Sequence, residues 1–194
     1  PNHKWLVVCP KTIIKPAWIN DAHKFYPNMK IMPWKRGLLK REIQPFCDAW
    51  GTNTPEQEAD VLVCNYESFR LMTDEFLELG VKGVIFDESV KIKNPQASVT
   101  KKAIEFCSHM ENVYLLTGIP APNSELEYFT QMQVIDPAIF GTNYWRFQRT
   151  YFVAHDWFQR EWELNPAMAD RFTERLNQRS VFIRKKDCLD LPPL

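Results

Sequence analysis

The chain has 194 residues, 45% apolar and 25% charged, with 24 basic side chains against 24 acidic ones and a formal net charge of zero. That is enough apolar chain to bury a core in one domain or one domain with a small appendage, and no run approaches membrane-spanning length. The charge is uneven: residues 1–50 hold nine Lys/Arg against three Asp/Glu, and residues 51–80 hold one Arg against seven acids. A neutral chain of this kind presents either a basic face to a phosphate backbone or two solvated faces of opposite sign.

In chain order, Leu6-Val7-Val8-Cys9-Pro10 is a short buried strand closed by proline. A helix is predicted from about Thr12 to Phe25, with Ile14, Trp18, Asp21 or Ala22, and Phe25 as its apolar stripe. Lys30-Ile31-Met32 reads as an edge strand, and residues 35–50 as a helix interrupted near Pro45. Asp60–Cys64 is a buried strand. Phe69–Leu79 is a helix with Gly80 as its C-terminal cap. Val84–Glu88 is a strand ending in two carboxylates, and Val99, Ala103, Phe106, Cys107 and Met110 trace an amphipathic helix after it. Val113–Leu116 is a strand. Asn123–Ile135 is a helix capped by Asn123 or Ser124. An aromatic stretch follows over 144–162, then a helix over Ala167–Gln178 and a final short strand over Ser180–Ile183. The alternation predicts a three-layer α/β domain with a mainly parallel sheet. The cysteines at 9, 47, 64, 107 and 188 are scattered and odd in number, which reads as reduced thiols in an intracellular protein.

The chemistry concentrates where strands end. Thr117 lies 30 positions after Asp87, with a helix between them. A crossover would set both strand ends side by side at the sheet edge where open α/β folds bind nucleotide. There, Asp87 would hold Mg²⁺ and Glu88 would orient and deprotonate a water attacking a γ-phosphate. An Asp-Glu pair alone serves equally as a helix cap; the partner segment favours the nucleotide reading. The Thr117 hydroxyl is expected to bond the acidic pair, and Gly118 to permit a tight turn. Cys9-Pro10-Lys11-Thr12, with Lys15, joins strand to helix and reads as a phosphate-binding surface or a plain turn with solvated lysines. Asn65 and Tyr66 end the next strand on the same edge. In the aromatic stretch, Arg146, Arg149 and Arg160 interleave with Tyr144, Trp145, Phe147, Tyr151, Phe152, Trp157, Phe158 and Trp162. Such rings either stack on nucleic acid or pack a helical element onto the domain.

Four blocks occur in order: Leu6–Pro10 followed by Trp18; Val61–Glu67; Phe86-Asp87-Glu88-Ser89 with Ile92-Lys93-Asn94; and Leu115–Asn123. On these the chain resembles the first RecA-like lobe of the Swi/Snf-type helicase-like ATPases of helicase superfamily two, the blocks looking like motifs Ia, Ib, II and III. Phe182–Asp187 and Leu189–Pro192 look like the segment leaving that lobe for the second. The resemblance implies a RecA-like, P-loop-NTPase-type fold over residues 1–141. A helical, aromatic-rich appendage would span 142–179, and a return strand and linker 180–194. It also implies an ATP- and Mg²⁺-dependent motor on double-stranded DNA. Its partners would be a second RecA-like lobe of the same chain and DNA-bound protein complexes, without a membrane. Asp87 becomes the magnesium acid and Glu88 the base. Thr117, Gly118 and Ser89 become coupling residues, and Pro10, Lys11, Lys15, Asn65, Tyr66, Lys93 and Asn94 line the DNA track.

The chain departs from the family pattern at Val90, where His is usual, and at Ile119, where Thr is usual. No Gly-Lys-Ser or Gly-Lys-Thr occurs in it. A start at Pro1 and an end in Leu191-Pro192-Pro193-Leu194 read as a piece of a longer protein. By itself it is expected neither to bind ATP tightly nor to hydrolyse it. The competing reading is a non-catalytic lobe that docks DNA or protein; a small-substrate phosphohydrolase of P-loop type explains less of the chain.

Overall fold

A computed structural model describes residues 4–35, 37, 40–154 and 161–183. Its elements are β1 (Lys4–Cys9), α1 (Asn20–Phe25), β2 (Ile31–Pro33), α2 (Lys40–Trp50), α3 (Pro55–Glu58), β3 (Val61–Asn65), α4 (Tyr66–Leu71), α5 (Thr73–Glu78), β4 (Val81–Asp87), α6 (Ser98–Cys107), β5 (Asn112–Leu116), α7 (Tyr128–Ile135), α8 (Tyr144–Tyr151), β6 (Phe152–Ala154), β7 (Trp162–Leu164) and α9 (Ala169–Asn177). The first five strands form one parallel sheet in the order β2-β3-β1-β4-β5. β1 and β3 are near-continuous apolar runs because central parallel strands are covered on both faces. Side chains alternate between those faces. Leu6, Val8, Leu62, Cys64, Val84 and Phe86 pack with Phe69, Phe76, Ala103 and Phe106 from the helices of one face. Val7, Cys9, Ile31 and Val63 pack on the other face with Ile13, Ile14, Trp18 and Ala22. Gly83 is a glycine for a packing reason: a Cβ there would lie 2.5 Å from the Trp5 ring.

The predicted helix over 12–25 is three pieces. Lys11–Ile13 is a 3₁₀ turn, Ile14–Ile19 is π-helical, and only α1 is α-helical. Pro16 has no N–H to close an α-helical bond, and the wider turn satisfies the backbone instead. Trp18 and Ala22 pack inward, while Phe25, expected on the same stripe, is exposed at the end of α1. α2 runs unbroken through Pro45, although proline there removes a donor and crowds the carbonyl of Arg41. The predicted 69–79 helix is α4 and α5, broken at Met72, and Gly80 takes the positive φ of a cap.

Beyond α7 the chain packs a second apolar core. Phe147, Tyr151, Phe152 and Phe172 meet Phe129 and Met132 of α7. This region is not purely helical, since β6 and β7 form an antiparallel pair within it. Burial of Phe147, Tyr151 and Phe152 fits the packing alternative; Trp145 is exposed, as are Arg146 and Arg149. Trp157, Phe158 and Arg160 lie outside the described residues. The predicted strand at 180–183 joins neither sheet, and Val181, Phe182 and Ile183 are exposed. An apolar run of three residues becomes a strand only where a neighbouring strand takes up its hydrogen bonds. The rest of the expected return segment, 184–194, lies outside the described residues. Among the described residues no helix is long and apolar enough to cross a membrane.

Candidate functional site

The carboxyl ends of the central strands meet at one sheet edge. Cys9 pairs with Asn65, Val8 with Phe86, and Asp87 with Leu116. The two strand endings that carry Asp87 and Thr117 are therefore direct neighbours, as the spacing predicts.

Asp87 is fixed on both oxygens. Oδ1 accepts from the Glu88 N–H at 3.0 Å, and Oδ2 accepts from the indole N–H of Trp18 at 2.9 Å. The π-helical turn is what delivers Trp18 there. Each carboxylate oxygen keeps a lone pair for a cation or a water. Glu88 is the only non-glycine residue with positive φ among the described residues, at φ 57° and ψ 53°. A left-handed Glu is strained by about 1–3 kcal/mol and must be held by its surroundings. Tyr66 does this. Its hydroxyl donates to the Asp87 carbonyl at 2.8 Å and reaches the Glu88 carbonyl at 3.2 Å. Burial, reinforced by the negative charge of Asp87, pushes the Tyr66 phenol far up, so it remains a donor through the neutral range. The same two causes push the Cys9 thiol up to about 12, which rules it out as a nucleophile at neutral pH.

Ser89, expected in coupling, is fully buried, and its hydroxyl donates to Gln131 Oε1 at 2.9 Å. The amide of Gln131 donates in turn to the Pro120 carbonyl at 2.6 Å. The Thr117 hydroxyl does not bond the acidic pair. Its oxygen is buried without a partner, and the donors that hold Asp87 are Trp18 and the Glu88 N–H. Gly118 has an ordinary φ and open space where a Cβ would stand, so a tight turn is not what requires it. Ser89, Thr117, Gly118, Gln131 and Val181 line a cleft of about 500 Å³.

The expected DNA-track residues divide. Lys11 and Lys15 are exposed beside Pro10, but they sit on the 3₁₀ and π turns and not at the start of a long α-helix. Their charge, more than a helix dipole, would attract phosphate there. Asn65 caps α4 by accepting from the Ser68 N–H at 2.8 Å, and Tyr66 is the pin just described. Lys93 is not free for phosphate: it pairs with Glu127 at 2.7 Å, and the Asn123 amide donates to the same oxygen. Asn94 closes a local turn with the Gln96 N–H. Sequence reasoning missed Gln131 and Glu127 altogether. The available signal was a glutamine flanked in the helix by Tyr128, Met132 and Ile135, where a core side chain fits.

Among the described residues no three His, Cys, Asp or Glu gather as a metal site. Mg²⁺ needs no such cage; one carboxylate, substrate phosphates and waters suffice, and Asp87 fits that role.

The sequence profile of the SNF2-related domain matches residues 2–186. The chain is 31% identical over 141 residues to the chromatin-remodeling ATPase INO80 of Emericella nidulans, spanning 72% of this chain and 9% of that protein. It is 31% identical over 146 residues to a Caenorhabditis elegans SWI/SNF-related matrix-associated actin-dependent regulator of chromatin subfamily A-like protein 1 homolog, spanning 75% of this chain and 19% of that one. It thus spans less than a fifth of either curated relative. Among solved structures, the Sulfolobus solfataricus SWI2/SNF2 ATPase core in complex with dsDNA superposes with a TM-score of 0.56 at 22% identity, over 76% of this chain and 28% of that one. This last likeness is one of fold.

Proposed function

The chain belongs to the SNF2-related domain family, and from that premise we propose that it is the first lobe of an ATP-driven motor on double-stranded DNA. The observation that carries the reading is the Asp87–Glu88 loop. Its carboxylate is oriented by Trp18, its left-handed backbone is held by Tyr66, and it lies in register beside the strand that leads to Thr117. Two adjacent acids held this firmly at the carboxyl edge of a parallel sheet suit phosphoryl transfer to water.

In this reading Asp87 holds the Mg²⁺ of a bound Mg-ATP, which neutralises phosphate charge. Glu88, exposed beside it, orients the attacking water and takes its proton. Lys11 and Lys15 meet the DNA backbone beyond the end of β1, on one side of the acidic loop, and Thr117 and Gly118 follow β5 on its other side, with Ser89 in the loop itself. A second RecA-like lobe would supply an arginine worth about 10³–10⁵ in rate. The 194 residues alone, without a Gly-Lys-Ser or Gly-Lys-Thr loop or that lobe, neither bind ATP tightly nor turn it over. The parent protein works inside the cell on DNA-bound protein complexes.

The test is ATP hydrolysis by the full parent protein with and without duplex DNA, beside Glu88→Gln. The expected result is turnover stimulated by duplex and lowered ~100-fold or more by the substitution. A folded parent with no turnover would leave a lobe that docks DNA or protein without catalysis, a reading favoured by the partnerless Thr117 hydroxyl.

A further inference from the structure

Gln131 is 2% exposed, and its side chain is a junction of three segments. Oε1 accepts from Ser89, one residue past Glu88. Nε2 donates to Pro120 in the turn after β5 and, at 3.3 Å, to the Glu127 carbonyl one helical turn back. An amide has about four hydrogen-bonding positions, and three are used. Packing does not explain a glutamine here. Phe129, Met132 and Val134 on the same helix are buried and apolar, and a Met or Leu would fill the volume. A buried amide is tolerated because its bonds are made, and those bonds tie one particular arrangement together.

We infer that Gln131 is the positioning residue that couples the Asp87–Glu88 loop to the Thr117–Pro120 turn. This rests on the motor reading above. Val90 beside the acidic loop and Ile119 in the turn have side chains that cannot hydrogen-bond. Thr117 has no partner and cannot carry the coupling. Ser89–Gln131–Pro120 remains as a continuous hydrogen-bonded path between the two strand ends. A rearrangement of about 1 Å at Ser89 exceeds what a 2.9 Å bond absorbs, so Gln131 must follow, and with it the donor to Pro120. A second strut, Lys93 to Glu127 to Asn123, runs alongside. Glu127 is the N-terminal cap of α7 and its carbonyl accepts from Gln131, so both struts meet at the start of that helix. The outer pair is partly solvated; the Ser89–Gln131 bond of the inner one is buried, where a bond is stronger and its loss is felt more.

The experiment uses the full parent protein with Gln131→Met, which keeps volume, Ser89→Ala, which deletes one oxygen, and the double variant. The readout is the ratio of duplex-stimulated to basal ATPase rate, together with hydrogen exchange of amides 117–121 without nucleotide. Each single variant is expected to lower the ratio at least fivefold and raise exchange in the turn. The double variant is expected to be no worse than either single one, as for two parts of one path. A structural role alone would lower thermal stability while leaving the ratio within twofold of wild type, and that result overturns the inference. So does a double variant whose losses simply multiply. If Gln131→Met fails to fold, Ser89→Ala decides by the same ratio. A wild-type parent that duplex DNA does not stimulate overturns the motor reading itself, and the inference with it.

Discussion

The ends of β4 and β5 are neighbours in one sheet, yet they are built differently. After β4, both oxygens of Asp87 are engaged, Tyr66 clamps the strained backbone of Glu88, and Ser89 and Ile92 are buried. After β5, the Thr117 hydroxyl has no partner, Gly118 faces open space, and Ile119 is 65% exposed. Strained conformations persist where the surroundings over-determine them, and responsive segments come from the weakly held end of the structure. Asp87 and Glu88 are thus held in place by their surroundings, while the turn beside them is weakly held. Pro120, held through Gln131, is the point where the loose turn is tied to the rigid one.

Deleting one polar group on each side breaks or sharpens this contrast. Trp18→Phe keeps the ring and removes the N–H that orients Asp87. A hydrogen bond to a charged group is worth about 1.5–3 kcal/mol, and Asp87 is only half-buried, so the loss should fall near the lower figure. Urea unfolding measures it; a variant as stable as wild type would mean that the indole pin is idle. Thr117→Val removes an oxygen that bonds nothing. It should leave stability within about 0.5 kcal/mol or raise it, because a buried hydroxyl without a partner is a liability. A loss above about 1 kcal/mol would show that the hydroxyl is satisfied and that the two strand ends are alike.

The parallel sheet was legible because its strands are near-continuous apolar runs closed by Pro, Asn or Asp. The placement of Asp87 next to the Thr117 strand followed from one crossover length. The helix over 12–25 was not legible in detail: its Ile14–Ile19 stretch, which holds Pro16 and Trp18, is π-helical, the Trp18 indole reaches Asp87, and Phe25 is exposed. At 180–183 an apolar alternation read as a strand has no partner strand, which local pattern cannot reveal. Residue type singled out Asp87 and Glu88 as candidates at a strand end. It did not foresee that Tyr66 and Lys93, read as contacts for DNA, are tied to Asp87 and Glu127. Gln131 escaped notice because a glutamine in an amphipathic helix reads as part of its wet face, and only the turn after β5 makes that position dry.

The smallest expected effect lies between the two sides, at Glu127. Burial raises its carboxyl pKa, but hydrogen bonds from Lys93 and Asn123 outweigh burial and hold it below the ordinary 4.5. A depressed pKa means that the folded form keeps the charge more readily than the unfolded chain. The contribution to stability is then complete above 4.5 and is lost as pH falls through the lower, folded value. The pair is partly solvated, so the loss is slight and shrinks further with salt. Carboxyl ¹³C titration should place the Glu127 midpoint below 4.5, and Lys93→Met should raise it by removing the largest opposing contribution. A wild-type midpoint at or above 4.5 would mean that the outer strut does not form in solution. Where it does form, acid should free the Asn123 side first, since Asn123 reaches α7 through Glu127. Amides at 121–124 would then exchange faster below the Glu127 midpoint while those at 87–92, pinned by Tyr66 and Trp18, stay protected. Equal acceleration on both sides would erase the difference between the strand ends.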